Sequence, residues 1–304
     1  MVAGNTPVRD APRDLPAPDA RRLIVEALSP TPEPRRFLVA PGALVRVGRT
    51  SVSDIVLPDD EELSGAHFTL AWDGVTATLR DLGTQTGTLL GGTRVADTAK
   101  LPHGAWIRAG TTDLRVYHES YSDTLRPAPP LSPVAAALQR RLTSSTGYTL
   151  YALLDAARSP RILELLHESV DEHQSLFEGL PGAALSRVAP YLVRLEPETS
   201  PLFARLLADG WGQSWGVFVL SAAPFKQVRR HFRRHLRVED PDSRSLYFRL
   251  YDPRVLRRFL PMASARQLHE LFAEVACFAL EDAPPTRATL FTITPEPTLR
   301  SEHL

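Results

Sequence analysis

The sequence predicts a multidomain protein in which an all-β sandwich is followed by an α/β (α+β) domain with a helical C-terminal part. Three observations support this prediction. Short strand-like runs separated by turn residues fill residues 21–118. A proline-rich stretch follows, and from residue 147 onward strand-like and helix-like segments alternate. We therefore divide the chain into a disordered N-terminus (1–20), the sandwich (21–118), a linker (119–146), the α/β domain (147–283) and a C-terminal tail (284–304).

Turn signals such as Pro41-Gly42 and Asp73-Gly74 separate the strand-like runs of the first domain. Many short strands with regular turns are typical of a sandwich or a barrel. The predicted strands are Leu23 to Ala27, Arg36 to Ala40, Leu44 to Val47, Ala66 to Trp72, Ala77 to Asp81, Trp106 to Arg108 and Leu114 to Tyr117.

Strand and helix periods alternate in the second domain. The predicted strands are Tyr148 to Leu154, Tyr191 to Leu195, Gly216 to Leu220 and Leu246 to Tyr251, with an edge strand at Ala288 to Ile293 in the tail. The predicted helices are Arg161 to His167, Leu202 to Ala208, Phe225 to Leu236 and those that follow Pro253.

The overall composition excludes several function classes. The 35 basic and 35 acidic residues balance, so no overall field favours nucleic acid or an anionic membrane. No run approaches the roughly 18 apolar residues that a membrane span requires, and residues 1–20 lack the apolar core of a signal peptide. Cys277 is the single cysteine, which excludes an intramolecular disulfide. We expect a cytoplasmic protein without a cofactor and without a membrane partner.

Three motifs occur in order along the predicted sandwich: Gly48-Arg49, Ser64-x-x-His67 and the loop from Asp81 to Thr88. We expect the glycine at 48 to adopt a backbone conformation that other residues avoid, which places the arginine at a loop tip. A guanidinium there has the planar donor geometry that matches phosphate. The third motif brings hydroxyl, amide and backbone N–H groups toward the same place.

Residues from about Arg22 to His118 resemble a forkhead-associated (FHA) domain, a β-sandwich whose loops recognise phosphothreonine. The resemblance implies that the arginine and serine of the first two motifs contact the phosphate, that the histidine holds the loops and that the third loop clamps the peptide. The implied phosphopeptide-binding residues are Arg49, Ser64, Thr84, Gln85 and Thr86, supported by Gly48, His67 and Gly87.

The chain departs from the FHA pattern in ways that leave two interpretations open. Thr86 stands where the family usually has an asparagine that bonds the peptide backbone, and Gly65 follows the motif serine. Acidic residues at 59–62 directly precede Ser64 and would repel an anionic ligand if they faced it. The domain is therefore either a phosphothreonine reader or a phosphate-independent docking module.

Four short motifs in the second domain suggest a second resemblance: the segments 151–158, 190–195, 211–216 and 248–256. Together they resemble the adaptor domain that accompanies type VI secretion effectors. The resemblance covers about Tyr148 to Leu280. It implies a cytoplasmic adaptor or chaperone, without catalytic activity, that holds a toxic effector and helps to load it onto the VgrG spike.

Several side chains of the second domain allow a chemical interpretation and a structural one. Asp155 and Asp252 each follow a predicted strand and precede a helix, so they could converge as a metal-binding pair. Helix capping explains both positions without a metal and is favoured. His231 and His235 have zinc-ligand spacing but no third ligand, which favours surface histidines. Cys277 lies in an apolar run, which indicates a buried, unreactive thiol. We predict no metal and no catalytic residue.

One charged segment differs from an ordinary solvated surface. The segment between Pro224 and Leu260 contains Lys226, ten arginines and four acidic residues, which gives it a net charge of +7. On the predicted helix from Phe225, the apolar residues share one face and the arginines occupy the others. Such a surface would orient an acidic protein partner rather than nucleic acid, for which no reading motif is present. The predicted partner-binding residues are Arg229, Arg230, Arg233, Arg234 and Arg237.

The sequence thus favours a non-enzymatic effector adaptor with an FHA domain for docking a phosphothreonine protein. Two alternatives remain. One is a phosphorylation-dependent signalling scaffold whose second domain is only structural, and the other is a metal-dependent hydrolase that uses Asp155 and Asp252.

Overall fold

The structure, a computed structural model, describes residues 21–28, 35–177, 185–239 and 245–304. The predicted disordered N-terminus at 1–20 therefore lies outside the described residues. The chain divides into two units, one containing residues up to Ala27 and Arg36–His118, the other containing Leu28–Arg35 and Glu119–Leu304. Within the described ranges, no helix is long and apolar enough to cross a bilayer.

The first unit is a β-sandwich, as predicted. Its strands are β1 Leu23–Ala27, β2 Arg35–Val39, β3 Leu44–Gly48, β4 Ile55–Val56, β5 Phe68–Trp72, β6 Ala77–Asp81, β7 Thr88–Leu90, β8 Thr93–Arg94, β9 Thr98–Leu101, β10 Ala105–Ala109 and β11 Thr112–His118. One sheet has the strand order β2-β1-β11-β10-β7-β8 and the other β4-β3-β5-β6-β9. The short β4 pairs parallel with β3, whereas β5 pairs antiparallel with both β3 and β6, and β11 pairs antiparallel with both β1 and β10.

Alternation along the strands builds the core of the sandwich. In β5, Phe68, Leu70 and Trp72 are buried, whereas the two residues between them are half-buried. Leu70 lies directly opposite Leu79 of β6, so both point into the same apolar layer. This period of two is the pattern of a strand with one buried face.

The second unit is a mixed α/β domain. Its strands are β12 Thr149–Asp155, β13 His173–Ser175, β14 Pro190–Leu195, β15 Gly216–Ser221, β16 Arg237–Glu239, β17 Ser245–Tyr247, β18 Cys277–Glu281, β19 Ala288–Ile293 and β20 Leu299–His303. Seven of them form one antiparallel sheet with the order β13-β14-β12-β15-β18-β19-β20, and β16 and β17 form a separate antiparallel pair. The helices are α1 Tyr121–Leu125, α2 Pro133–Thr143, α3 Pro160–His167, α4 Pro201–Gly210, α5 Phe225–His235, α6 Pro253–Phe259 and α7 Ala265–Leu271.

Helices cover both faces of this sheet. On β12, Leu150, Ala152 and Leu154 pack into an apolar cluster with α2, α3 and α4. The alternate residues Tyr151 and Leu153 pack into a second cluster with α5, α6 and α7. A strand that is covered on both faces reads as a continuous apolar run, which is why the sequence signal of β12 is strong.

The structure forms helices where the sequence suggested a linker. Ser132 caps α2 by accepting a hydrogen bond from the backbone N–H of Ala135 at 3.2 Å, and Pro133 occupies the first turn. Ala135, Leu138 and Leu142 are buried against the sheet. Proline is well suited to a helix start, so the prolines that suggested a linker begin an element of the second unit instead.

The C-terminal segment is also more regular than the sequence suggested. After α7 the chain returns to the sheet as β18, β19 and β20, so the helical part is followed by strands. The predicted strand at Ala288 to Ile293 is β19, but it lies inside the sheet, and β20 forms the edge.

Candidate functional site

The first motif of the sandwich lies where β3 ends. A β-carbon at Gly48 would lie 2.3 Å from the carbonyl oxygen of Gly65, so the close approach of two loops requires glycine there. The expected special backbone conformation of Gly48 is wrong, since its φ is not positive. Arg49 follows with an exposed side chain. Its backbone N–H donates to the carbonyl of Ser64 at 2.9 Å, and its Nε donates to that of Leu63 at 3.2 Å.

The second motif connects two loops through a buried imidazole. His67 has no exposed surface, and its Nδ1 accepts a hydrogen bond from the backbone N–H of Ser64 at 3.0 Å. This places the proton of the neutral ring on Nε2. Nε2 lies 3.2 Å from the carbonyl oxygen of Gly87 and 3.1 Å from Oγ1 of Thr84. The imidazole therefore fixes the Ser64 loop relative to the third loop.

Asp81 organises the third loop, although the sequence analysis gave this residue no role. Its Oδ1 accepts hydrogen bonds from the hydroxyls of Thr84 at 3.0 Å and Thr88 at 2.7 Å. Its Oδ2 accepts from the backbone N–H groups of Gly83 at 2.9 Å and Thr84 at 3.1 Å. Partial burial raises the pKa of Asp81, but these hydrogen bonds outweigh it and the net shift is downward. An aspartate directly before a glycine-containing loop is the sequence signal for such a turn.

The three polar residues at the tip of the third loop differ in orientation. The hydroxyl of Thr84 donates to Asp81, so Thr84 supports the loop from inside and is not available to a peptide in this geometry. Gln85 and Thr86 are exposed. The structure thus separates the predicted peptide-binding set into a supporting residue and two accessible ones.

Arg94 adds a second cation beside the third loop, and the sequence analysis did not identify it. Its guanidinium lies against Gly87, where a β-carbon would approach it to 2.7 Å, and Gly87 has a φ of +71°. The Nη2 atom is 3.5 Å from the carbonyl oxygens of Thr84 and Gln85. Because β7 and β8 pair in a hairpin, Arg94 lies opposite Leu89. The chain reversal thus returns Arg94 to the third loop, although it follows that loop in the sequence.

One member of the acidic run at 59–62 points into the protein. Asp60 is almost fully buried, and its Oδ2 accepts hydrogen bonds from the backbone N–H of Thr111 at 2.9 Å and the hydroxyl of Thr112 at 2.6 Å. Burial raises the pKa of Asp60, but hydrogen bonds dominated by Thr112 lower it overall. This carboxylate therefore anchors a loop and does not face the motif residues.

These contacts place Arg49, Ser64, Gln85 and Thr86 on loops that His67 holds together. A guanidinium and a hydroxyl can bind a phosphate, and an exposed amide can hydrogen-bond a peptide backbone.

In the second unit, the predicted basic surface on α5 divides into two parts. Arg229 donates through Nε to the carbonyl of Ser175 at 2.9 Å, and Arg233 donates to that of Leu176 at 3.1 Å. Both arginines therefore stabilise the end of β13. The accessible part of the surface consists of Arg230, Arg234 and Arg237, whose side chains are exposed.

The two aspartates considered as a metal pair do converge, but on an arginine. Arg249 Nη2 lies 2.6 Å from Oδ2 of Asp155 and 3.7 Å from Oδ2 of Asp252. Asp155 also caps the turn at Ala157, and Asp252 caps α6 at Arg254. Among the described residues, no group of three His, Cys, Asp or Glu side chains is placed to hold a metal ion.

The remaining candidates of the second unit are buried. His231, expected on the surface, is only 6% exposed, and its Nε2 lies 2.9 Å from the carbonyl oxygen of Leu271. His235 is half-buried beside it, with ring centroids 4.4 Å apart. Cys277 is buried on β18, and burial raises the pKa of its thiol to about 12.

Comparison with known protein families finds a match in each of the two units. Residues 45–110 match the family model of the FHA domain, and residues 150–270 match a family described as a domain of unknown function, DUF4123. No protein with a curated description matches the chain.

FHA domains are among the solved structures to which this chain is similar. One comes from a study of phosphothreonine-dependent FHA interactions and is 26% identical, with a TM-score of 0.29, covering 32% of this chain and 95% of that chain. The FHA domain of the CT664 protein from Chlamydia trachomatis is 23% identical, with a TM-score of 0.30 and coverages of 32% and 96%. The FHA-1 domain of Rv1747 from Mycobacterium tuberculosis is 24% identical, with a TM-score of 0.27 and coverages of 33% and 97%.

The first unit thus matches the FHA domain over residues 45–110, and the second unit matches DUF4123 over residues 150–270.

Proposed function

We propose that the FHA domain docks a phosphothreonine-containing segment of another protein. Arg49 and Ser64 bind the phosphate, and the exposed Gln85 and Thr86 contact the neighbouring peptide backbone. The observation that supports this most directly is the buried His67, which joins the Ser64 loop to the third loop. A preformed pair of loops lowers the ordering cost of binding.

Titration calorimetry with a degenerate phosphothreonine peptide library tests this proposal. Replacing Arg49 with alanine removes charge-assisted hydrogen bonds worth about 1.5 to 3 kcal/mol, so we expect affinity to fall roughly 10- to 100-fold. Arg80→Ala is the matched control. Arg80 is an exposed arginine on β6 that forms an ion pair with Asp97, and it is not one of the predicted phosphate-binding residues. Equal affinity for the unphosphorylated library would instead support a phosphate-independent docking module.

The DUF4123 domain is proposed to act as a cytoplasmic adaptor or chaperone that binds a type VI secretion effector and assists its loading onto the VgrG spike. The family match supports an adaptor role. The exposed arginines Arg230, Arg234 and Arg237 support an acidic contact surface on the effector, since such charges orient a partner during association.

Co-expression with a candidate type VI effector and a VgrG protein tests the adaptor proposal. Recovery of the effector as a stable complex is expected. Reversing Arg230 and Arg234 to glutamate should weaken capture, whereas reversing the exposed arginine Arg266 of α7 should not. Unchanged recovery of the effector with the double variant would discard this surface.

Two alternatives make different predictions. A phosphorylation-dependent scaffold would bind its partners only after kinase treatment and would leave the effector uncaptured. A hydrolase that used Asp155 and Asp252 would respond to added metal, but Arg249 occupies the space between these carboxylates, which argues against a cation there.

A further inference from the structure

One edge of the seven-stranded sheet is formed by β20, which pairs with β19 on one side only. Four of its five residues are exposed. In an antiparallel ladder, hydrogen-bonded and non-hydrogen-bonded residue pairs alternate. The register therefore determines which backbone groups of β20 face β19 and which face away from the sheet.

Hydrogen bonds at both ends of the ladder fix this alternation. The backbone groups of Leu304 and Ala288 exchange two hydrogen bonds, of 2.9 and 3.2 Å, and the N–H of Thr294 donates to the carbonyl of Thr298 at 3.1 Å. Even-numbered residues of β20 thus direct their backbone groups toward β19. The odd-numbered residues direct theirs outward, and within the described part of the chain these groups have no hydrogen-bond partner. They belong to Leu299, Ser301 and His303.

The two charged side chains of β20 lie on one face of the sheet. Arg300 stands opposite Thr292, and Glu302 stands opposite Leu290, which belongs to the cluster covered by α2. Glu302 lies 3.2 Å from Nη2 of Arg141, and both side chains remain about half exposed. Two opposite charges are therefore placed two residues apart on an accessible edge.

We propose that this edge is an interface with a second copy of the chain, in which two β20 strands pair antiparallel around a two-fold axis at Ser301. In that register, Ser301 faces the partner's Ser301, and Leu299 faces the partner's His303. The outward backbone groups then meet each other, with two hydrogen bonds at each facing pair. The same register places Arg300 opposite the partner's Glu302, and its symmetry mate repeats this pair.

Charge makes the register specific. A shift by two residues in one direction places Arg300 opposite the partner's Arg300, and a shift in the other places Glu302 opposite the partner's Glu302. Like charges directly opposite each other are destabilising, whereas opposite charges contribute roughly 0.2–1 kcal/mol. A shift by one residue would bring outward backbone groups against inward ones. Charged side chains on an edge strand commonly prevent it from pairing with another chain. Here the two charges are opposite, so they favour pairing with the β20 strand of a second copy.

The strand pair is short compared with the roughly 1,200 Å² that stable complexes usually bury. We therefore expect a reversible, concentration-dependent dimer. The proposal does not rest on the adaptor function. It is argued from the backbone geometry and the charges of β20, and neither phosphopeptide binding nor effector binding uses these features.

Sedimentation velocity of the full chain across a concentration series tests the interface. The wild-type protein should shift toward the mass of a dimer as concentration rises. Arg300→Glu and Glu302→Arg should each weaken association about tenfold or more, because either change creates two like-charge pairs. Ser301→Pro should do the same by removing an outward N–H that β19 does not use. Arg266→Glu, a charge reversal on α7, is the control and should associate like the wild type.

Mixing the two charge variants separates the proposed pairing from a loss of folding. Arg300→Glu chains offer two acidic residues and Glu302→Arg chains offer two basic ones, so the mixture should form heterodimers although neither variant self-associates. A wild-type protein with the mass of one chain at every concentration would overturn the proposal. So would a dimer that is unaffected by these changes, or variants that fail to associate with each other.

Discussion

Arg249 places its Nη2 atom 2.6 Å from Oδ2 of Asp155, a carboxylate that is only 1% exposed and lies 94 residues earlier in the chain. The contact joins the end of β12 to the segment that leads into α6. The same guanidinium lies 3.7 Å from Asp252, but Asp252 has its own partner in Arg254, whose Nη2 is 2.7 Å away. Arg249 is therefore the counterion of Asp155.

Replacing Arg249 with alanine should therefore destabilise the second unit. It leaves the buried carboxylate of Asp155 without its counterion, whereas Asp252 keeps Arg254. We expect a loss of about 1 to 3 kcal/mol in the free energy of unfolding, below the full cost of a broken buried pair because Arg249 is partly exposed. Urea denaturation measures this. The control Arg266→Ala breaks an exposed pair with Glu270 and should cost less than about 1 kcal/mol. An unchanged midpoint for Arg249→Ala would show that the contact does not stabilise the fold.

Stability should also depend on pH through His231. Burial, followed by the charge of His235, lowers the pKa of His231 to about 4, against 6.5 for an unperturbed histidine. Between these values the unfolded chain binds a proton that the folded chain does not. The stabilisation is therefore fully present above about pH 6.5 and is lost as pH falls toward 4, by on the order of 2 to 3 kcal/mol.

Urea midpoints at about pH 7 and about pH 5 test this dependence. His231→Gln keeps a donor for the carbonyl of Leu271 but cannot titrate, so its midpoint should change less between the two conditions. His269→Gln, on the exposed side of α7, should retain the wild-type dependence. Equal pH dependence in wild type and His231→Gln would refute this assignment.

Thr84 and Thr86 should respond differently to removal of their hydroxyls. Thr84→Val removes a hydrogen bond to the carboxylate of Asp81 and should cost about 1 to 2 kcal/mol of stability. Thr86→Val changes an exposed position and should stay within about 0.5 kcal/mol, while peptide affinity falls. Thermal unfolding and peptide titration on both variants measure the two effects. A destabilised Thr86→Val with an unaffected Thr84→Val would reverse the roles.

Two glycines of the first unit should differ in their tolerance of alanine. At Gly48 the added carbon meets a backbone carbonyl, so the loops must separate, and we expect a loss of about 3 kcal/mol or more. At Gly42, with a φ of +79° and nothing within 4 Å, only the backbone strain of about 1 to 2 kcal/mol applies. The difference between the two thermal midpoints checks this. Similar losses at both positions would contradict the close approach of the loops.

Much of the fold follows from local patterns in the sequence. The strands predicted at Ala66 to Trp72 and Tyr148 to Leu154 are β5 and β12, each with bounds that differ by one or two residues, and helical spacing predicted α3, α4 and α5. The strands β4, β7, β8 and β9 were missed because they are two to four residues long and too short to display a period. The start of α2 was hidden, since the same prolines are compatible with a linker and with the first turn of a helix.

Site residues that belong to a sequence motif could be predicted, whereas contacts between segments that only folding brings together could not. The motifs identified Arg49, Ser64 and His67, whose positions depend on nearby loops. Asp81 bonds residues only two to seven positions later, so its place before a glycine-containing loop was a usable local signal. The contacts of Arg94 and Arg249 depend on strand pairing or on a distant segment, and no local pattern specifies them. The same limit applies to α5, where only the structure separates the arginines that bond β13 from those that are exposed.

The order of strands in the second sheet has a consequence for synthesis. β12, β14 and β15 are neighbours in the sheet and leave the ribosome before α5, α6 and α7. The half-built sheet can cover one face with α2, α3 and α4, while Val217 and Val219 on the other face await helices not yet translated. A nascent chain of this kind exposes an apolar surface that is prone to aggregation. Slow translation beyond Ser221 should therefore increase the binding of general chaperones to the nascent chain.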